Sequence, residues 1–302
     1  MANDRNISGV LLFSKPKGIT SHDAVYRIRR LYGTKKVGHT GTLDPMAAGL
    51  LVMLIGRAAK AAEFLSSDRK KYIAEMTLGV TTDTEDSSGT VLSESSDIPD
   101  EDKVIETVSG FTGEISQLPP MYSAIKKDGH KLVDLARKGI EIEREERRVT
   151  VYSLAAKKIS ADKYELTAEV SKGTYIRTLC ADIGKALGCG AVMSALTRTA
   201  CGGFTLDRAY TQEDLEAMDQ AERDALLIPV ESLFDDLPKV VLPEFFFRLA
   251  SSGNEIYQRK IGTSFPTGQM IALYGANGFF AIGKVGDFEN GSAIRPVKQF
   301  VT

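Results

Sequence analysis

Asp44 is the one acid in the stretch GHTGTLDP (38–45), which is otherwise mostly small residues. A carboxylate can act as a covalent nucleophile if it is ionised and reachable. A neighbouring guanidinium favours the ionised form, and Arg177 and Arg198 are candidates to supply one. The glycines and threonines around Asp44 would let a bulky substrate approach the backbone. An Asp-Pro turn closed by an Asx hydrogen bond explains the same residues. Taken alone, the stretch favours that plainer turn.

Other chemistries lack their residues. There is no G-x-x-x-x-G-K-[ST] loop, no GxGxxG after the first strand-like run and no G-x-S-x-G. The three histidines (His22, His39, His130) are far apart, and the three cysteines (Cys180, Cys189, Cys201) fit neither a zinc spacing nor a disulfide frame. We therefore expect no metal and no cofactor, and reduced thiols in a cytoplasmic protein. No apolar run reaches membrane-spanning length, and the N-terminus lacks the order of a signal peptide.

The net charge of −2 conceals sorting. Residues 1–75 hold 13 basic against 6 acidic residues, whereas 81–120 hold 1 against 10 and 207–236 hold 2 against 10. Residues 237–302 hold 7 against 4. Such sorting can give a nearly neutral protein a positive face for a polyanion.

The 302 residues, 43% of them apolar, can build one large or two ordinary domains. VLLFSKPKG reads as a strand and loop. TSHDAVYRIRRLYG reads as a helix capped by Thr20 or Ser21, closed by Gly33, with Ala24, Val25, Ile28 and Leu31 on one face. LLVMLIG reads as a buried strand and RAAKAAEFLSS as a helix. KYIAEMTLG alternates, with Tyr72, Ala74, Met76 and Leu78 on one face. The acidic run that follows reads as an exposed loop. Residues 119–139 pass from a double proline to a short, lysine-studded helix ending at Gly139. Two antiparallel strands follow, then a helix with Ile176, Leu179, Cys180, Ile183 and Leu187 in a stripe, then a strand through SALTR. Thr211 and Asp214 resemble a capping box for a helix to about Leu227. Pro229 to Pro243 reads as a linker and the remainder as a small β-rich domain. Without strict β-α-β alternation, the main part reads as α+β with a mixed or antiparallel sheet.

Six segments occur in one order: KPKGITSHDAV (15–25), GHTGTLDPMAAGLL (38–51), KYIAEMTLGVTTDTED (71–86), QLPPMYSAIKKDGHKLVDLARKG (117–139), SKGTYIRTLCADIG (171–184) and SALTR (194–198). In these the chain resembles the TruB family of bacterial tRNA pseudouridine-55 synthases, over roughly residues 8–210. The resemblance implies a pseudouridine synthase domain over 1–236, with an RNA-clamping insertion at about 119–139, and a PUA-like RNA-binding domain over 237–302. It implies isomerisation of a uridine in the T-loop of tRNA. Asp44 matches the family's catalytic aspartate, Tyr72 its stacking tyrosine and Arg177 the arginine paired with that aspartate. Leu196 matches a pocket wall and His39 an RNA contact, and Lys15, Tyr122 and Lys126 join the pocket and RNA-binding set. Without the resemblance, Tyr72 reads as a half-buried strand residue, Arg177 as a surface arginine and Leu196 as core. Partners are then tRNA alone, with no guide RNA, protein or membrane, and a monomer is expected. The alternative is an RNA-binding or tRNA-folding factor whose catalysis is secondary or lost.

Overall fold

The computed structural model describes residues 5–64, 69–123, 125–127 and 129–300. Strand β1 (Gly9–Lys15) is almost wholly buried. Helix α1 (Ser21–Tyr32) starts where Thr20 accepts from the Asp23 amide and Asp23 accepts in return from the Thr20 amide. Ala24, Val25 and Ile28 face the core, and Gly33, at φ 63, ends the helix in the left-handed region. Strands β2 (Val37–His39) and β3 (Ala48–Ile55) pair across the Asp44 loop. Leu50 through Ile55 are buried on both faces, which accounts for their unbroken apolar run. Residues 56–61 make a short 3-10 helix rather than the longer helix expected of RAAKAAEFLSS, whose end lies outside the described residues. Tertiary contacts override propensity here: Lys60 Nζ donates to the Gln299 carbonyl at 3.0 Å, and Arg57 reaches that of Phe300.

Strand β4 (Arg69–Leu78) buries Tyr72, Ala74, Met76 and Leu78, as its alternation requires. The acidic run is not a plain exposed loop. It contains the pair β5 (Val80–Thr82) and β6 (Val91–Glu94), and Asp86 between them is buried. Next come α2 (Glu101–Ser109), β7 (Gly113–Gln117), the two-residue strands β8 (Lys126–Lys127) and β9 (His130–Lys131), and α3 (Leu132–Ala136). β10 (Arg147–Lys158) and β11 (Lys163–Ser171) form the expected antiparallel pair. α4 (Ile176–Leu187) lays Ile176, Leu179, Cys180 and Ile183 into the core. β12 (Ala191–Cys201) and β13 (Phe204–Thr205) complete the sheet. The helix expected over 211–227 is two, α5 (Gln212–Ala217) and α6 (Gln220–Ala225). Met218 is extended, and a second capping box, Asp219 with Glu222, restarts the chain.

The main sheet has nine strands, in the order β1-β3-β12-β4-β11-β10-β7, with β2 on β3 and β13 on β12. The β3–β12 pair is parallel and its other pairs are antiparallel, giving the expected mixed sheet. The approach of β3 to β12 depends on Gly49, at φ 104; a Cβ there would lie 2.4 Å from the Arg198 carbonyl oxygen. This contact brings the Asp44 loop beside the strand bearing Leu196 and Arg198.

The C-terminal part holds β14 (Lys239–Val241), α7 (Glu244–Ser251), β15 (Ile256–Tyr257), α8 (Gln258–Ile261), β16 (Met270–Gly275), β17 (Gly278–Phe288) and β18 (Gly291–Gln299). Its five strands run β14-β16-β17-β18-β15 around Ile271, Leu273, Phe280 and Ile294, the β-rich, PUA-like part that was expected. The segment before it is not a free linker. Phe234 is buried, with its ring 5.7 Å from that of Phe279 and 5.5 Å from that of Phe300. Tilted ring contacts of this kind join the two parts through an apolar cluster.

Candidate active site

Arg177, on the first turn of α4, is the hub. Its side chain is only 5% exposed, so its charge must be answered within the protein. Nε lies 3.1 Å from Asp44 Oδ2 and Nη1 lies 3.6 Å from Asp86 Oδ2. Nη1 also donates to the Thr84 carbonyl at 3.2 Å, and Nη2 to the Tyr122 carbonyl at 2.7 Å. A planar fork of donors suits such a divided task, which one ammonium could not perform.

The Asp44 loop is held from several sides. Ser21 Oγ donates to the Leu43 carbonyl at 2.9 Å and accepts from the Leu43 amide at 2.8 Å. Arg198, 1% exposed, donates to the carbonyls of Leu50 (2.8 Å), Gly41 (3.0 Å) and Thr42 (3.4 Å). The Asp44 turn is closed by backbone, the Ala47 amide donating to the Asp44 carbonyl at 3.0 Å. The carboxylate is thereby left for Arg177. Surrounding protein raises its pKa above the ordinary value. Arg177 and Lys15 oppose that shift, and Asp86 adds to it. The side chain nevertheless keeps 38% of its surface exposed, so it is crowded yet open on one side, as a reachable nucleophile requires.

Tyr72 and Arg198 stand opposite each other on β4 and β12, and the residue after Arg198 is bulged. Bulges beside a site re-aim side chains. Tyr72 is 7% exposed; burial pushes its phenol pKa up, while Arg198 draws it down. Leu196, opposite Ala74, is buried. His39 is half-buried at the end of β2; its Nδ1 is buried without a hydrogen-bond partner, and burial lowers its pKa.

Lys15, Tyr122 and Lys126 were expected in the pocket and RNA-binding set. Lys15 has no exposed surface; Nζ donates to the carbonyls of Pro16 (2.9 Å) and Ile19 (2.8 Å), and burial brings its pKa down to about 8. Its ammonium acts inward, toward Asp44. Tyr122 reaches the site through its backbone carbonyl. Lys126 lies on β8 in the insertion, and its side chain lies outside the described residues.

Asp86 is what the sequence reading missed. Its Oδ1 accepts from Thr84 Oγ1 at 2.8 Å and from the Ser88 amide at 2.9 Å, which leaves Oδ2 facing Arg177. The turn carrying it is stapled to β12 by the Ser87 amide to the Met193 carbonyl (3.0 Å) and the Met193 amide to the Glu85 carbonyl (3.2 Å). Glu85 takes φ 62, a left-handed conformation costing a non-glycine residue about 1–2 kcal/mol. The available signal was the end of KYIAEMTLGVTTDTED, read for its tyrosine and not for its last acid.

Known proteins share this chain's family and its fold. Residues 29–176 match the family model described as TruB family pseudouridylate synthase (N terminal domain). Residues 177–235 match that of the tRNA pseudouridylate synthase B C-terminal domain. The fold is shared with a chain in the crystal structure of a Cbf5-Nop10-Gar1 complex, at TM-score 0.73 and 29% identity over 97% of this chain and 85% of that one. The family models and the shared fold thus define a pseudouridylate synthase. The tRNA pseudouridine synthase B of Alkaliphilus oremlandii is 45% identical over 281 residues, covering 92% of this chain and 93% of its own. That of an Azoarcus species is 45% identical over 298 residues, covering 99% and 96%. The chain belongs to the TruB family.

Proposed function

We propose that the protein isomerises uridine to pseudouridine in tRNA, in the T-loop by family resemblance, with Asp44 as nucleophile. The observation that carries this reading is the Arg177 Nε–Asp44 Oδ2 contact of 3.1 Å, on a carboxylate open on one side within a TruB-family fold. The reaction breaks N1–C1′, turns the base and joins C5 to C1′. It is redox-neutral and carries no group away, so it needs neither cofactor nor metal. The target base leaves its stack at a cost of a few kcal/mol. An aromatic platform such as Tyr72 returns about 1–3 kcal/mol. Leu196 supplies an apolar wall. Asp44, kept charged by Arg177 and by Lys15 behind it, is placed to attack uracil C6 or ribose C1′. The Tyr72 hydroxyl is the candidate relay for the proton released from C5. His39, half-buried at the end of β2 beside the Asp44 loop, is the residue that the family resemblance sets against the RNA.

Binding rests on the basic first quarter of the chain, on the 119–139 insertion with Lys126, and on residues 237–302 as a second RNA contact. The boundary proposed for that second part is residue 237. The protein acts as a monomer without guide RNA or protein partner, in the cytoplasm. Among the described residues no helix is long and apolar enough to cross a membrane. Asp44, Tyr72 and Arg177 are all in place, so nothing favours a factor that has lost catalysis. The test is to incubate purified protein and unmodified tRNA transcript, without added metal or nucleotide, and map pseudouridine. Product in the T-loop is expected with wild type and not with Asp44→Asn. Absence of T-loop product with wild type, or equal conversion by the variant, would overturn the reading.

A further inference from the structure

Glu85 takes no part in the chemistry above, yet it occupies a costly conformation at the edge of the site. Among the described residues it is the only non-glycine residue with positive φ. Such outliers persist where the surroundings over-determine them, and they cluster at functional sites. Its neighbours on both sides serve Arg177: Thr84 through its carbonyl and Asp86 through its carboxylate. Its own side chain turns to the next residue of the same helix, Thr178. Thr178 is 3% exposed, and its hydroxyl donates to Glu85 Oε2 at 2.6 Å. The Glu85 carboxylate is half-buried beside Asp86, a like charge, with Arg177 and Arg144 the opposing charges. A carboxylate does not gather there for solvation.

We propose that Glu85 is a positioning residue for the Asp44–Arg177 pair. With Thr178 it pins the turn at 82–88 to the first turn of α4. The left-handed backbone lets three consecutive residues meet two consecutive helix residues: 84 and 86 face Arg177, and 85 faces Thr178. This fixes the Thr84 carbonyl and Asp86 Oδ2 against Nη1, and so sets the direction in which Nε points at Asp44. The inference rests on the reading of Arg177 as partner of the nucleophile.

The test compares Glu85→Ala, Glu85→Gln, Thr178→Val and the double variant Glu85→Ala/Thr178→Val. Single-turnover conversion of unmodified tRNA, equilibrium tRNA binding and melting temperature are measured for each. Removing either end of the contact is expected to slow conversion about tenfold, as loss of a supporting partner does, with Kd held within about twofold. Glu85→Gln keeps an acceptor oxygen and is expected to recover most of the rate. The double variant is expected to be no slower than the slower single one, because both remove one interaction. Conversion by Glu85→Ala at the wild-type rate, a glutamine variant as slow as the alanine one, or fully multiplicative losses would each overturn the proposal. If Glu85→Ala does not fold, Thr178→Val carries the same expectation, since it deletes the donor and keeps the branched shape. Wild type that makes no pseudouridine defeats the proposed function. Active wild type with indifferent variants defeats only the role of Glu85.

Discussion

The Asp44 loop and the 119–139 insertion are both short, turn-rich segments, and they are held in opposite ways. Around Asp44 almost every nearby carbonyl and hydroxyl is engaged: Ser21, Arg198 and Arg177 each close on it from a different element. The insertion is built on two-residue strands and a five-residue helix. Leu132 is buried, Arg144 donates to the Pro119 carbonyl, and Lys127 to that of Glu143. A cavity of about 180 Å³ remains beneath it, lined by Pro119, Ile125, Leu132 and Arg144 among others. A reacting atom misplaced by about 1 Å can cost 10²-fold in rate, whereas a contact with phosphates tolerates adjustment. On the proposed reading the pocket is built for position and the insertion for grip, and the Tyr122 carbonyl on Arg177 joins them.

If that division holds, changes in the pocket alter the rate and changes in the insertion alter affinity. Asp44→Asn is the largest case. It should lower single-turnover conversion by about 10⁴-fold or more, as removal of a nucleophile does, and still bind tRNA. Loss of binding with it would break the comparison. Arg177→Ala should follow at about 10²–10⁴-fold, the rate equivalent of the 3–5 kcal/mol lost when one partner of a buried pair is removed. Arg177→Lys should recover little, because one ammonium cannot serve Asp44, Asp86 and two carbonyls. Asp86→Asn keeps the shape of the side chain and should cost about 10–100-fold, the range for a supporting group. Rapid-quench conversion with saturating enzyme measures all four.

The contrast also marks what could be read from sequence. Elements that fold on their own pattern were legible. The Thr20 cap and apolar stripe gave α1, the alternation from Tyr72 gave β4, and the stripe through Cys180 gave α4. Asp44, Tyr72 and Arg177 were singled out through motif order; composition alone left the plain turn standing. Asp86 was not legible, because a carboxylate in a run of 10 acids reads as solvated until a distant arginine is brought to it. The full burial of Lys15 was not legible either, because the two backbone carbonyls that take its ammonium follow no spacing rule. The single helix expected over 211–227 failed locally, since two caps compete and the second, at Asp219, starts its own helix.

The insertion supplies the next test, of smaller size. Lys126→Ala/Lys127→Ala should raise the Kd for tRNA several-fold and flatten log K against log salt, by about 0.7–0.9 for each phosphate that is no longer neutralised. The rate at saturating tRNA should not change. A fall in that rate with unchanged affinity would mean that the insertion shapes the pocket, and the division between the two regions would fail.

The smallest effect concerns what the pocket costs the fold. Burial raises the Asp44 pKa above its ordinary 3.8, so the folded state holds that proton more tightly than the unfolded chain does. Below both values the group is protonated in each state and contributes nothing. As pH rises from the ordinary value through the raised one, the unfolded chain releases its proton first, and stability falls across that window. Above it the penalty stays constant, so wild type carries it at neutral pH. Asp44→Asn removes the charge, and Arg177 keeps Asp86 as its partner. The variant should therefore melt about 1–3 °C above wild type at pH 7, a shift of the size expected for a fraction of a kcal/mol in a chain this long. The difference should shrink as pH is lowered toward 4. Calorimetry at the two pH values measures it. A variant that melts lower than wild type at pH 7 would show that Asp44 supports the fold, and that the pocket's precision is not bought at the expense of stability.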